Sequence, residues 1–580
     1  MKKIILVVTA FFLTINLFAG NIEKTFTFGS PIVKAIGSYQ TVTFNNTVLS
    51  GVAGEPTLPY QAVSLLLPPG ESAISVTILG EEETLIPGTF TIYPHQPPRP
   101  ISEGASTTFI KNEKIYAQNR TYPEQVTGNL MTQYLNGYAF ALSTFTSVKY
   151  NPVTGTYSYY KKITLKITTQ GDEKSTEAMG NRSSSPSALK RVKDFAQNPE
   201  LVSSYPALKS MQSTYKMLII TPAALQTGFQ PLINMYTAQG LTTQLTTTES
   251  ISASSSGWDM PEKIRNYIKD QYQNSGIEYV LLGGNPQHVP FRGFFCHVIS
   301  GGGYEDSNIP ADLYFSGMDG DYDSNGNHLY GEMTDNPDFL PEVSVARFTV
   351  DNMTELQNMV HKTVAYQTTP VLGEMKKPFL VGEHLYDDPM TEGGTYLELL
   401  VNDNTDNGYF THGIFSSTNN IDRLYDTLVS PPSNMWSWSL SQLLSRINSG
   451  KQFIHHSGHS NYNYMMRMMT YDITNSNFYN VNGIVHNYTL MYSHGCMCGG
   501  FDDPTCIAKK CVTIENFLVG GVFNSRYGWF NQGTSDAASE QLPREYISSR
   551  YNDTTPDKHL GTGHMISKIR TASYINRAGE

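Results

Sequence analysis

The sequence predicts an all-β domain followed by a parallel α/β domain. Two textures predict it. Up to about residue 170, short alternating apolar segments are broken by Gly, Pro and Asn. After residue 213, short apolar runs alternate with amphipathic stretches of helical length. A length of 580 residues leaves room for several cores and excludes a peptide scaffold stapled by disulfides.

Residues 1–20 predict a signal peptide. Lys2 and Lys3 precede the apolar run Ile4 to Phe18, and Ala19-Gly20 is a small-residue exit. No later run reaches the ~18 apolar residues of a membrane helix. The expectation is export, to the outside, the cell surface or the periplasm, with no integral membrane segment once the signal is removed.

Residues 21–170 form the β-rich domain. Gln40 to Phe44, Val63 to Leu67, Ser75 to Leu79 and Lys162 to Thr168 read as strands of an antiparallel sandwich or barrel. Residues 171–213 lose periodicity and are Ser-rich around Lys190-Arg191, which predicts an exposed linker open to nicking. Two α/β subdomains follow, at 214–370 and 371–580. Their apolar runs are Met217–Ile220, Tyr279–Leu282, Val343–Phe348, Phe379–Val381, Phe453–Ile454, Leu490–Tyr492 and Gly521–Phe523. Phe229–Gln239, Pro261–Gln273, Met353–Gln367 and Trp438–Asn448 carry apolar residues at helical spacing between them. Strands separated by helices predict a parallel sheet covered on both faces, with function gathered at the carboxyl ends of the strands.

Charged residues are only 16% of the chain, against a usual quarter or so. Forty Lys and Arg against 51 Asp and Glu leave a net charge of −11. That balance argues against nucleic acid or an anionic membrane as the main partner. The five cysteines are an odd set, with Cys496, Cys498, Cys506 and Cys511 crowded together and Cys296 alone, so at least one thiol is expected free.

Four successive predicted strands end in chemistry. Phe379–Val381 leads into Gly382-Glu383, and Phe453–Ile454 into His455-His456-Ser457-Gly458-His459-Ser460. Leu490–Tyr492 leads into Ser493-His494-Gly495-Cys496, and Gly521–Phe523 into Asn524 to Trp529. An acid, a histidine, a cysteine and an aromatic are the parts of a thiol nucleophile, its base, the base's orienter and a pocket wall. Each alone has a plainer reading, since most strand-end histidines are satisfied polar groups and most buried cysteines are small hydrophobes. A zinc site is the alternative for the cysteine group, but its spacing lacks paired Cys-x2-Cys knuckles. The joint, ordered occurrence favours catalysis.

The segments FIHHSGHSNY, YSHGCMCGGFDD and GGVFNSRYGWF resemble the catalytic core of gingipain-type cysteine peptidases, relatives of caspases and legumain. PADLYFSGMDGDYDSNGN…PEVSVARF resembles the middle of that domain, and GEPTLPY with GYAFALSTFTSVKYNP resembles the family's propeptide. The resemblance implies a caspase-like parallel-sheet catalytic domain preceded by an all-β propeptide domain that acts as an intramolecular inhibitor. It implies a secreted cysteine endopeptidase made as a zymogen, acting on protein and peptide substrates without an organic cofactor. It carries His459 to the general base, Cys496 to the nucleophile and Glu383 to the orienting acid. The backbone amides of Ser460 and Cys496 take the oxyanion place, and Trp529 the wall of the primary pocket, with Tyr527 beside it. The family usually has Gly where Ser460 stands and Ala or Ser where Gly495 stands. Its specificity acid is absent at Gly394 and Gln532, with Glu392 and Asp536 as nearby substitutes. Two other readings use the same residues: a sortase-like transpeptidase of the cell surface, and an inactive adhesin that keeps the fold.

Asp321-x-Asp323-x-Asn325-Gly326-x5-Glu332 fits the spacing of an EF-hand calcium loop, with Gly at position six and Glu at twelve. The expectation is an isolated structural calcium loop of Asp321, Asp323, Asn325, Asn327 and Glu332, which Asp319 could join.

Overall fold

The computed structural model describes residues 20–103, 108–208, 214–298, 303–335, 337–387, 390–429, 434–531, 538–551 and 558–574. The predicted signal peptide therefore lies outside the described residues, apart from Gly20, which opens the first strand.

The N-terminal domain is a two-sheet sandwich. In one sheet, Thr156–Gly171 pairs antiparallel with Gly20–Thr27, Glu71–Leu85 and Val148–Asn151. The other runs in the order Thr47–Ser50, Leu58–Leu66, Tyr138–Phe145, Met131–Leu135. Ile163, Leu165 and Ile167 point inward by strand alternation and meet Val63, Leu65, Ala141 and Phe145 from the facing sheet. Tyr138–Phe145 is buried on both faces, which explains the continuous apolar run Tyr138–Leu142 within it. Ala139 and Ala141 face the sandwich, while Tyr138, Phe140 and Leu142 face a second cluster outside it.

That second cluster corrects the expected exposed linker. Residues 171–213 hold the helices Glu173–Ala178 and Pro186–Phe195. Ala188, Val192 and Phe195 lie at i, i+4 and i+7 and are buried against Phe140 of the sandwich and Met565 and Ile569 of the C-terminal helix. The Lys190-Arg191 pair sits on this helix, and Arg191 donates to the Glu342 carbonyl at 3.2 Å. Three apolar residues among Ser, Lys and Asp make too narrow a stripe to stand out by periodicity.

Beyond it lie two parallel sheets. The first has the order Thr243–Thr247, Met217–Thr221, Tyr279–Gly283, Ser344–Phe348. The second has the order Asp422–Tyr425, Pro378–Gly382, Phe453–Ser457, Thr489–Ser493, Leu518–Phe523. One core joins the two, with Ile219, Phe229 and Leu281 in the same cluster as Val381, Ile454 and Met491. Each such side chain contributes roughly 1.5–3 kcal/mol on burial. The predicted helices are present as Gln230–Ala238, Met260–Ser275, Met353–Thr368 and Leu440–Ile447. Among the described residues, no helix is long and apolar enough to cross a membrane.

Candidate active site

The strand order sets Pro378–Gly382, Phe453–Ser457, Thr489–Ser493 and Leu518–Phe523 side by side and parallel. Their carboxyl ends therefore deliver Glu383, His459, Cys496 and the Asn524–Trp529 segment to one edge of the sheet. Nothing local does this; it follows from the parallel crossovers.

Glu383 is 4% exposed. Its Oε2 accepts the backbone N–H of His459 at 2.9 Å, and its Oε1 lies 3.6 Å from Nε2 of the buried His456. The carboxylate thus fixes the loop that carries His459, while its charge faces a second imidazole. Gly458 is required between them, because a Cβ there would stand 2.5 Å from His456 Nε2 and 2.7 Å from the Glu383 carboxyl carbon. The strand end is pinned from the other side. Trp438 Nε1–H donates to the Gly382 carbonyl at 3.2 Å, and the His384 N–H donates to Asp426 at 3.0 Å. Asp426 in turn pairs with Arg467 at 2.5 Å.

Cys496 is fully buried. Its Sγ receives the Gly528 N–H at 3.4 Å and donates to the Gly528 carbonyl at 3.7 Å. The Ser460 hydroxyl donates to the Cys496 carbonyl at 2.7 Å and ties the histidine loop to the cysteine loop. Gly495 must be glycine here, since a Cβ would collide with Ser460 Oγ. The His459 ring is half-buried and stands edge-on to Tyr386, with centroids 6.1 Å apart. Among the described residues, no hydrogen bond joins that ring to the Cys496 thiol.

The N-terminal domain covers the thiol. Arg99 and Pro100 pair antiparallel with Phe530 and Trp529, and the Ile101 N–H extends the ladder to the Gly528 carbonyl at 2.9 Å. The Tyr386 hydroxyl donates to the carbonyls of Pro100 at 3.1 Å and Ile101 at 2.5 Å. Burial pushes the Cys496 thiol above its ordinary value, and hydrogen bonds from Ser102, Gly528 and Ile101 offset part of the rise. A thiol in this state is protonated and unreactive at neutral pH.

The other cysteines are structural. All five thiols are free. Cys498 and Cys511 belong to the core joining the two sheets, and burial pushes the thiols of Cys498 and Cys506 up to about 12 and about 11. None falls in a metal-binding arrangement among the described residues, so the zinc alternative has no support.

The acidic loop is built differently from the expectation. Asp323 pairs with its neighbour His328 at 3.1 Å, and the Glu332 carboxylate accepts the side-chain amides of Asn325 and Asn327 at 3.2 and 2.6 Å. Asp321 accepts the Asp323 N–H at 3.1 Å. The carboxylates of Asp321, Asp323 and Glu332 do not converge. Those of Asp319, Asp338 and Glu342 do, each with an oxygen within 4.8 Å of the others. Burial pushes Asp319 up to about 6 and the other two well above the carboxylate range, with mutual repulsion adding to the rise for Asp338 and Glu342. Asp338 Oδ2 is buried without a hydrogen-bond partner. An all-oxygen set with an orphaned carboxylate oxygen fits a hard divalent cation such as calcium. The N-terminal domain reaches this cluster as well: the amides of Asn136 and Gly137 donate to Glu342 at 3.1 Å and to Asp319 at 3.3 Å.

Of the predicted pocket residues, Tyr527 packs beside Ile101, but Trp529 contributes chiefly backbone. Its ring meets Tyr304 at 5.7 Å and Tyr527 at 6.0 Å. Asp536 lies outside the described residues. Sequence reasoning missed Tyr386, Asp338, Glu342 and the Arg99–Ser102 segment, and placed Gly528 at the strand end without a role. Only Tyr386, three residues past Glu383, carried a positional hint.

Residues 210–579 match the model of peptidase family C25, and residues 27–186 match that of Propeptide_C25. Lys-gingipain of Porphyromonas gingivalis is 22% identical over 362 residues, covering 61% of this chain and 19% of its own length. Gingipain R1 of the same organism is 21% identical over 338 residues, covering 57% and 30%. The chain thus spans less than a third of the length of either relative, 19% of one and 30% of the other. The solved complex of P. gingivalis RgpB pro- and mature domains aligns with a TM-score of 0.41 at 16% identity, over 63% of this chain and 77% of that one. The crystal structure of the Arg-specific proteinase gingipain R aligns at 0.44 and 15%, over 64% and 75%. This chain belongs to peptidase family C25, the gingipain-type cysteine peptidases, and carries that family's propeptide ahead of its catalytic domain.

Proposed function

We propose that the protein is a cysteine endopeptidase, exported by residues 1–20 and held latent by its own N-terminal domain. Cys496 attacks the peptide carbonyl, His459 takes the thiol proton and later protonates the leaving amine, and Glu383 orients the histidine loop. Amides at Ser460 and Cys496 receive the oxyanion, where one donor is worth roughly 3–4 kcal/mol. Water then releases the acyl group. In the zymogen, Arg99 to Ser102 occupy the cleft as an added strand, which excludes substrate and keeps the thiol neutral. Calcium held by Asp319, Asp338 and Glu342 would take the place of the protons that burial and mutual repulsion favour on these carboxyls.

The observation that carries this reading is that the pro-domain segment covers the Cys496 thiol, with Ile101 in one buried cluster with it and Ile101 and Ser102 hydrogen-bonded to it. A processed Cys496→Ala enzyme should lose hydrolysis of a protein substrate, whereas Cys498→Ala should keep most of it. Full activity in Cys496→Ala overturns the assignment.

A further inference from the structure

We infer that the primary specificity pocket takes a branched aliphatic side chain, so the enzyme cleaves after Ile, Val or Leu and not after Arg or Lys. The inference rests on the peptidase reading above and names its substrate class. The register of the pro-segment carries it. Arg99 faces Phe530 and Pro100 faces Trp529, so the next residue, Ile101, faces Gly528, and its N–H donates to the Gly528 carbonyl at 2.9 Å. Gly528 is also the residue that contacts the Cys496 thiol through both its N–H and its carbonyl. The thiol in turn is approached by Ile101 and Ser102. The segment therefore crosses the site as a substrate-like strand with Ile101 and Ser102 beside the nucleophile, which puts the Ile101 side chain at the primary pocket, while its carbonyl is held by the Tyr386 hydroxyl and not by the amides that would receive an oxyanion.

The Ile101 side chain is fully buried, in one cluster with Leu385, Tyr386, Cys496 and Phe530. Tyr386 and Phe530 stack with centroids 4.7 Å apart and planes 8° from parallel, which makes a flat apolar wall. The Tyr386 hydroxyl is engaged by the carbonyls of Pro100 and Ile101, so it reads the backbone and leaves the side-chain position to apolar contact. Placing an ammonium or guanidinium there costs its hydration without return unless it finds an acid. The acids that line the cavity of about 380 Å³ continuing from Ile101 are Glu392, Asp406 and Glu540; none belongs to the cluster around the Ile101 side chain, and Asp406 is paired with Lys34 at 2.8 Å.

Two measurements test this. Peptides of one sequence that vary only before the scissile bond (Ile, Val, Leu, Lys, Arg) are given to the processed enzyme, and cleavage sites are read by mass spectrometry. The expected result is kcat/KM at least tenfold higher for the aliphatic residues; a preference for Lys or Arg overturns the inference while leaving the peptidase reading intact. The second measurement needs no turnover. In the intact chain, Ile101→Lys should expose Cys496 and raise its iodoacetamide alkylation rate tenfold or more, whereas Ile101→Val should stay within about twofold of the parent. Equal protection by Ile101→Lys overturns the inference. If alkylation behaves as expected and no protein or peptide is cleaved, the pocket stands and the peptidase reading fails.

Discussion

Ser460 and Gly495 occupy one volume between them: the serine hydroxyl fills the space that a side chain at 495 would need, and donates to the Cys496 carbonyl at 2.7 Å. The resemblance to gingipain-type peptidases implies the reverse arrangement, glycine after the histidine and Ala or Ser before the cysteine. The two departures seen in the sequence are thus a single compensated exchange.

It follows that Gly495→Ala should cost most of the activity, because the new Cβ displaces Ser460 and with it the link between the two loops. Adding Ser460→Gly should restore a large part, since the closest remaining neighbour of that Cβ is the Gly458 carbonyl at 3.2 Å. Kinetics of the two single variants and the double variant check this. Purely additive losses would show that the positions are independent.

The thiol of Cys496 should report processing. Burial raises it in the intact chain, so alkylation by iodoacetamide should have its pH midpoint above the ordinary 9.0. A raised thiol is protonated below that midpoint and becomes reactive only above it. Release of the pro-segment should bring the midpoint down toward neutrality, as the His459 imidazole becomes the nearest partner. Mass spectrometry of the Cys496 peptide separates it from the half-buried Cys296. An unchanged midpoint after processing would contradict the covering role of Ile101 and Ser102.

Glu383→Gln keeps an oxygen for the His459 N–H but removes the charge beside His456 and His459. The expected loss is about tenfold or more in kcat with KM little changed. Glu383→Ala also leaves that half-buried N–H without its acceptor, at about 1 kcal/mol, and should lower Tm by a few degrees. A Gln variant as active as the parent would reduce Glu383 to a structural acceptor.

Calcium should raise the Tm of the intact chain through Asp319, Asp338 and Glu342. Binding to the folded state alone adds RT ln(1 + [L]/Kd), about 2.7 kcal/mol at a hundredfold excess over Kd. Asp338→Asn should abolish most of the shift, whereas Glu332→Gln should retain it, because Glu332 is engaged by Asn325 and Asn327. Thermal melts in calcium and in EDTA decide. The reverse ranking of the two variants would return the site to the 321–332 loop.

What was legible in the sequence was what periodicity and local chemistry encode. The runs Met217–Ile220, Phe453–Ile454 and Leu490–Tyr492 are strands because short apolar segments bounded by turn residues have no other way to bury both faces. Gly458 and Gly495 were visible as small residues beside the histidine and cysteine, and the structure supplies the reason in the close approach of Glu383 and Ser460. The helix Pro186–Phe195 was not legible, because its stripe is three residues wide and its partners, Phe140 and Met565, lie far away in the chain.

Sequence alone determined which residues could do chemistry and that they end successive strands. Tertiary structure decided which of them meet. Asp319 joins Asp338 and Glu342 and not the neighbouring Asp321 and Asp323, since only the first three are brought together by packing under the Asn136-Gly137 turn. Likewise nothing in the letters RPIS announces a strand, for it has no alternation and begins Arg-Pro. Its conformation is imposed by the free edge at Gly528–Phe530 and by the hydroxyl of Tyr386, contacts more than 280 residues away in sequence that no local propensity can encode.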